Sequence, residues 1–286
     1  MLEFTKMQGA GNDFILFDGA KTPLPEHSAL ARAVCNRRFG VGADGILIAD
    51  RSDRADLTMR YYNSDGSRAA LCGNGLRCFA RYARERGLVT TDHFIVDTAV
   101  GPRQVWIERE DGGEIGLITV EVDRPELVPY EIPVLVAGHR AVDYPLCLAG
   151  EQLTATSLRI GVPHTVLFVD QPPKEARLRA LGEAIGHHPA FPQGCNLDLV
   201  LPQGDCLKIF TWERGAGHTF ACGTGCCAAA AAGWLTGRVE ASRVRLETEG
   251  GVLWVSRKGE MLLLTGPAET VCSGVFAAKW RAEQNG

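Results

Sequence analysis

Two cysteine–glycine elements of the same form are the residues of this chain best suited to chemistry. Cys72 opens the run CGNGLRC, Cys222 opens CGTGCC in the second half of the chain, and each run begins a stretch with helical character. The first N–H groups of a helix lack intrahelical partners and the dipole is positive there, which lowers the pKa of a thiol. The adjacent glycines let an anionic ligand approach those N–H groups. We expect two reactive thiols that act on one ligand.

A pair of thiols facing one ligand is suited to inverting a stereocentre that carries hydrogen. One thiolate removes the proton from one face while the opposite thiol delivers a proton to the other face. The α-proton of an amino acid is weakly acidic, so the carbanion needs hydrogen-bond donors at its carboxylate, and two helix N-termini would supply them. The sequence contains no phosphate-binding Gly-x-x-x-x-Gly-Lys-Ser/Thr run and no dinucleotide fingerprint. We therefore expect no cofactor.

Helix and strand signals alternate along the chain and place both cysteines at helix starts. The patterns predict helices over 28–38 with Ser28 as N-cap, over 73–86 with Gly87 at its end, over 174–185, and from Cys222 to near Gly237. The helix after Cys222 is mostly Ala and Cys, so we expect it to be buried on all sides. Strands are predicted over 14–17, 45–49, 57–62, 94–96, 105–107, 116–120, 165–170, 197–201, 206–212, 243–246, 252–256 and 261–264.

The order of these signals repeats, which predicts an internal duplication. The interval from Asn12 to Cys72 is nearly the same as the interval from His164 to Cys222. The predicted fold is α+β, with two pseudo-symmetric domains that each wrap a bent mixed or antiparallel sheet round a central helix. We expect an N-terminal domain of residues 1–120 plus 267–286, a C-terminal domain of residues 121–266, and an active site in the cleft between them.

Composition narrows the class of protein. The chain has 286 residues, 45% of them apolar, and a net charge of −4 without basic runs, which argues against nucleic-acid and membrane partners. The N-terminus lacks the pattern of a signal peptide, so we expect a cytoplasmic protein with reduced cysteines. Cysteine and histidine spacing predicts no metal site. Apolar neighbours predict burial for four further cysteines, namely Cys35, Cys147, Cys206 and Cys272.

Several segments together resemble the diaminopimelate epimerase family, and the resemblance covers most of the chain. The matching segments are GAGNDF (9–14), GVGADG (40–45), YNSDGS (62–67), CGNGLRC (72–78), PH (163–164), Asn196, ERGAG (213–217) and ACGTG (221–225). The family interconverts LL- and meso-diaminopimelate without a cofactor, on the way to lysine and peptidoglycan. The resemblance also implies a homodimer.

The resemblance implies a role for each matching polar position. Cys72 and Cys222 would be the base and acid pair, and His164 and Glu213 would tune the thiols. Backbone N–H groups at the two helix starts would hold the α-carboxylate, at Gly73, Asn74, Gly223 and Thr224. The ammonium groups and the distal carboxylate would be bound by Asn12, Asn63, Asn196, Glu213 and Arg214. A guanidinium suits a carboxylate because its donors match both oxygens.

Three positions depart from the family pattern. Val162 stands where the family often has Asn, Gly45 where some members have Gln, and His218 where Glu is common. Because Val162 has no side-chain amide, the substrate stays open to an alternative of the same fold, a two-thiol racemase or epimerase for proline, hydroxyproline or histidine. A thiol–disulfide protein and a non-catalytic binding module are the alternatives from other classes. For His218 we expect a solvated side chain.

Overall fold

The computed structural model describes residues 2–21 and 23–277. Its strands and helices follow in chain order: β1 Glu3–Gly9, β2 Asn12–Asp18, α1 His27–Cys35, β3 Gly45–Asp50, β4 Leu57–Asn63, α2 Gly73–Glu85, β5 His93–Thr98, β6 Gly101–Arg109, β7 Ile115–Glu121, β8 Tyr144–Leu148, β9 Glu151–Ile160, β10 Val162–Phe168, α3 Glu175–Gly186, β11 Asn196–Gln203, β12 Cys206–Glu213, β13 Gly217–Thr219, α4 Gly223–Leu235, β14 Arg243–Thr248, β15 Gly251–Lys258, β16 Met261–Gly266 and β17 Glu269–Val275.

The chain divides into two units. Unit 1 holds the described residues up to Glu121 and from Gly266 onward, and unit 2 holds Val122–Thr265. Of the C-terminal segment 267–286 that the sequence analysis assigned to the N-terminal domain, residues 278–286 lie outside the described part of the chain.

Unit 1 is a mixed sheet curved round α2. β1 pairs antiparallel with β2 and β17, β2 runs parallel to β3, β3 is antiparallel to β4, β4 is parallel to β5, and β5, β6 and β7 form an antiparallel meander. α2 packs against β1, β2, β3, β6 and β7. α1 covers the opposite side of β2, and this is why the run 14–17 is buried at every position.

Unit 2 repeats this arrangement round α4. β8, β9 and β10 are antiparallel neighbours, β10 runs parallel to β11, β11 is antiparallel to β12, and β12 pairs with β13 and β14 before the β14–β15–β16 meander. α4 packs against β9, β10, β11, β12 and β15, and most of its positions are buried. The predicted α+β fold with a central helix in each mixed sheet is therefore confirmed.

Several local predictions differ from the structure. Glu26, not Ser28, caps α1, because its carboxylate accepts hydrogen bonds from the backbone N–H groups of residues 28 and 29. Strands β1, β8, β9, β13 and β17 were not predicted. Of the four cysteines expected to be buried, Cys35 is buried and Cys206 is partly buried, whereas Cys147 and Cys272 are exposed. Cys147 lies on β8, whose exposed and buried positions alternate, so its apolar neighbours in sequence point to the other side; Cys272 lies on β17, which is exposed at nearly every position.

Candidate active site

Cys72 caps the central helix of unit 1. Its backbone is extended (φ −133°, ψ 122°), and its Sγ accepts a hydrogen bond from the backbone N of Gly75 at 3.4 Å. Gly73 and Asn74 form the first turn of α2, and Asn74 is 1% exposed. The thiol thus lies where the unpaired N–H groups of the helix start favour negative charge.

Asn12 is in direct contact with the Cys72 thiol. The thiol donates to Asn12 Oδ1 at 3.3 Å, and Asn12 Nδ2 donates to Asp44 Oδ2 at 2.6 Å. Asp44 is held in turn by Arg37, whose Nη2 lies 2.9 Å from Asp44 Oδ1. The carboxylate can only accept when ionised, so it fixes the orientation of the Asn12 amide and directs the amide oxygen at Sγ.

A buried arginine organises the first turn of α2. Arg77 is 0% exposed, its Nη2 donates to Asn74 Oδ1 at 2.9 Å, and its Nε donates to the carbonyl of Pro267 at 3.2 Å. The sequence analysis assigned no role to Arg77 or Asp44. For Arg77, the sequence feature that could have indicated a role is a charged residue among the apolar residues of a helix.

Asn63 has a structural partner in a turn. Its Nδ2 donates to Ser67 Oγ at 3.0 Å, and its backbone pairs with the same residue. In the sheet register Asn63 lies opposite Gly45, where a Cβ would come within 2.6 Å of the carbonyl oxygen of Tyr62. A longer side chain at position 45 would therefore need the backbone to move.

Cys222 caps the central helix of unit 2 with matching geometry. Its backbone is extended (φ −109°, ψ 114°), and its Sγ accepts from the backbone N of Gly225 at 3.4 Å. The thiol is 6% exposed and lies 3.3 Å from Thr224 Oγ1. Burial raises the pKa of Cys222 well above its ordinary value, and the charges of Glu213 and Asp198 raise it further. The pKa lowering expected from the helix N-terminus is therefore outweighed at this position.

His164 lies beside the Cys222 cap in a buried polar cluster. It is 0% exposed, its Nδ1 lies 2.7 Å from Asp198 Oδ2, and its Nε2 lies 3.0 Å from Thr224 Oγ1. Asp198 is also 0% exposed and accepts a second hydrogen bond from Thr211 Oγ1 at 2.9 Å. The sequence analysis missed Asp198. Its signal was an acidic residue in the middle of the apolar strand β11.

The remaining predicted polar residues of unit 2 are at the ends of β11 and β12. Asn196 Oδ1 accepts from the backbone N of Arg214 at 2.8 Å, and Glu213 Oε1 accepts from Thr219 Oγ1 at 2.6 Å. The Arg214 guanidinium donates to the carbonyl of Gln193. Asn196 thus positions the backbone that carries Glu213 and Arg214 rather than projecting alone into solvent.

Two of the departures from the family pattern are on the surface of unit 2. Val162 begins β10 and is 37% exposed. His218 Nε2 lies 2.7 Å from Glu249 Oε2, so it pairs with an acid on the β14–β15 turn instead of being simply solvated. Within residues 2–21 and 23–277, no group of three or more metal-ligating side chains forms a site, and no helix is long and apolar enough to cross a membrane.

Comparison with solved structures defines the class of fold. A hydroxyproline epimerase from Agrobacterium vitis superposes with a TM-score of 0.70 at 14% identity, covering 96% of this chain and 91% of that one. A probable proline racemase from Agrobacterium radiobacter gives a TM-score of 0.71 at 14% identity, covering 98% and 94%. The fold is the one shared by these racemases and epimerases.

Sequence comparison then assigns the family. The family model for diaminopimelate epimerase matches residues 4–128 and 156–271. A diaminopimelate epimerase of Moorella thermoacetica is 39% identical over 282 residues, and one from a Cyanothece strain is 40% identical over 288, each alignment covering 96% of this chain and 99% of the relative. The chain belongs to the diaminopimelate epimerase family.

Proposed function

We propose that this chain epimerises LL-2,6-diaminopimelate to the meso isomer with Cys72 and Cys222 as its two proton carriers, and without a cofactor. The observation that carries the proposal is the matched capping geometry of the two cysteines. Each Sγ caps the central helix of its unit and accepts from the glycine N–H three residues on at 3.4 Å. Family membership supports the reaction and the substrate.

The proton balance of the reaction needs two groups. A thiolate takes the α-proton and becomes a thiol, the electron pair stays on the α-carbon and its carboxylate, and the opposite thiol gives its proton to the other face and becomes a thiolate. Backbone N–H groups of Gly73, Asn74, Gly223 and Thr224 would stabilise the charge on the carboxylate, because the start of a helix binds anions. The reverse reaction exchanges the roles of the two thiols.

The other predicted residues would recognise the two charged ends of the substrate. Asn12, Asn63 and Asn196 would bind or position the ammonium and carboxylate groups, and Glu213 would accept from an ammonium group. Arg214 is exposed, and its guanidinium donates to the carbonyl of Gln193. It would bind the distal carboxylate of the substrate. His164 and Glu213 would tune Cys222, since both lie in its surroundings.

The alternative of a proline, hydroxyproline or histidine racemase is not favoured. The curated relatives at 39% and 40% identity are diaminopimelate epimerases, whereas the hydroxyproline epimerase and the proline racemase share only 14% identity with this chain. A substrate panel of LL-diaminopimelate, L-proline and L-histidine tests the choice. We expect α-proton exchange with diaminopimelate alone, and exchange with only one of the others would reassign the substrate.

Single cysteine variants test the mechanism. We expect Cys72→Ala and Cys222→Ala each to abolish epimerisation, because each face of the α-carbon needs its own proton carrier. Cys78→Ala is a matched control, since Cys78 lies on the same helix as Cys72 but is fully buried, and burial raises its pKa to about 12. Substantial epimerisation by either Cys72→Ala or Cys222→Ala would refute the two-thiol mechanism.

The domain roles, the assembly and the location of the protein are part of the same proposal. We propose that unit 1 is the domain that supplies Cys72, that unit 2 is the domain that supplies Cys222, and that the protein is a cytoplasmic homodimer. The duplicated pattern of strands and helices supports the domain roles. Light scattering of the purified protein should give the mass of two chains, and the mass of a single chain would refute the homodimer.

A further inference from the structure

The two units differ in the polarity of the strand residues that lie behind their catalytic cysteines. In unit 2 the register places His164 opposite Asn196 and Asp198 opposite Thr211. The corresponding pairs in unit 1 are Phe14 with Gly45 and Leu47 with Tyr61. The positions of His164, Asp198 and Thr211 are therefore those of Phe14, Leu47 and Tyr61.

The glycine in the first turn of each helix lies against one of these strand residues. A Cβ on Gly75 would lie 3.3 Å from the ring of Phe14, and a Cβ on Gly225 would lie 2.6 Å from Asp198 Oδ1. Each glycine thus lets the helix start approach the strand residues behind it. Behind α2 the strand residues are two aromatic side chains and a leucine, whereas behind α4 they are a buried carboxylate, an imidazole and a threonine hydroxyl.

The polar residues of unit 2 form one continuous chain of hydrogen bonds that ends at the thiol. Successive distances are 2.7 Å from Asp198 Oδ2 to His164 Nδ1, 3.0 Å from His164 Nε2 to Thr224 Oγ1, and 3.3 Å from Thr224 Oγ1 to Cys222 Sγ. An ionised Asp198 can only accept, so Nδ1 carries a proton. In a neutral imidazole Nε2 is then an acceptor, the Thr224 hydroxyl donates to it, and the thiol donates to Thr224.

We propose that Asp198, His164 and Thr224 form a proton relay that ionises Cys222. The thiol proton moves to Thr224 Oγ1 while the hydroxyl proton moves to His164 Nε2, which leaves a thiolate and an imidazolium and keeps the total charge unchanged. The direction of both hydrogen bonds reverses, so the hydroxyl donates to the thiolate. Asp198 is a positioning residue, since it fixes the tautomer of His164 and stabilises the imidazolium.

The relay provides a proton acceptor for Cys222, whose surroundings oppose ionisation of the thiol. Burial raises the pKa of this thiol, and the nearby charges of Glu213 and Asp198 raise it further, so direct loss of its proton to water is unfavourable. An imidazole reached through one hydroxyl supplies an acceptor inside the protein. In unit 1 the Cys72 thiol instead contacts the amide of Asn12, which cannot take up a proton.

A structural measurement tests the relay without reference to activity. In protein labelled with ¹⁵N-histidine, we expect His164 of the resting enzyme to be the neutral Nδ1–H tautomer. In Asp198→Asn we expect the Nε2–H tautomer to appear, because an amide NH₂ can donate to Nδ1. An Nε2–H tautomer in the unsubstituted protein would overturn the proposal, because Nε2 could not accept the relayed proton.

A matched pair of substitutions tests the relay in catalysis, and this part rests on the proposed function. Thr224→Val removes the hydroxyl but keeps the backbone N–H, and we expect kcat to fall about a hundredfold with little change in KM. Thr224→Ser keeps the hydroxyl and should restore most of the lost rate. Equal kcat values for the two variants would overturn the relay. Absence of α-proton exchange in the unsubstituted protein would instead refute the proposed function, and the tautomer measurement would still decide the relay.

Discussion

Gly225→Ala is expected to disrupt unit 2 through a single added methyl group. The new Cβ would lie 2.6 Å from Asp198 Oδ1, whereas ordinary contact begins at 3.4 Å, so the carboxylate must retreat by the difference. Asp198 cannot swing away freely, because its two oxygens accept hydrogen bonds from His164 at 2.7 Å and from Thr211 at 2.9 Å. Moving the carboxylate therefore breaks at least one of these bonds.

The magnitude follows from two opposing terms. A hydrogen bond to a charged group contributes about 1.5–3 kcal/mol, and its loss destabilises the folded state. Replacing Gly by Ala within a helix stabilises it by up to about 1 kcal/mol. We expect a net loss of roughly 1–2 kcal/mol in the free energy of unfolding, together with a lower kcat because the His164–Asp198 contact is disturbed.

Urea unfolding monitored by tryptophan fluorescence gives the assay, since Trp212, Trp234 and Trp254 are all in unit 2. Gly75→Ala is the matched control, because its Cβ would lie 3.3 Å from the end of the Phe14 ring, which is already close to the 3.4 Å of ordinary contact. We expect the control to be neutral or slightly stabilising. The reasoning is refuted if Gly225→Ala is as stable and as active as Gly75→Ala.

Two further substitutions test other parts of the packing and electrostatics. Gly182→Ala on α3 places a Cβ 2.2 Å from the Trp212 ring and should lower the free energy of unfolding by about 2 kcal/mol. Gly186→Ala is the control, because its Cβ would have no atom within 4 Å, and it should leave the free energy of unfolding unchanged. Equal unfolding midpoints for the two variants would contradict this prediction. Arg109 and Arg84 lower the pKa of Asp92 to about 2. The ionised Asp92 therefore stabilises the folded state above about pH 4, and this stabilisation is lost as the pH falls through about 2. Because this carboxylate is 37% exposed, Asp92→Asn should cost less than about 1 kcal/mol at neutral pH, and a stability difference that persists below pH 2 would be inconsistent with the pairing.

The elements that carry the cysteines could be predicted from sequence because their signals are local. Glycines after Cys72 and Cys222 mark the helix starts, and α2 (Gly73–Glu85) and α4 (Gly223–Leu235) begin as predicted. The run of alanines in α4 indicated burial on all sides, which the structure confirms.

The unpredicted features depend on contacts between distant parts of the chain. β17 pairs with β1, which lies at the opposite end of the described chain, and the residues of β17 are almost all exposed, so no apolar pattern identifies it. Asp198 was missed because its role depends on hydrogen bonds that link it to His164 and Thr224, and these two residues lie on other elements. The direction of the Cys222 pKa shift also depends on burial, which a helix-start motif does not encode.

Solvent deuterium incorporation tests the two-thiol account most directly. The enzyme, without added cofactor, is incubated with LL-diaminopimelate in D₂O, and early product and remaining substrate are examined by proton NMR and mass spectrometry. We expect deuterium at the α-carbon of the meso product, protium in the recovered substrate, and no product with Cys72→Ala or Cys222→Ala. A meso product that retains the original α-proton, or formation of product by either variant, would contradict the account.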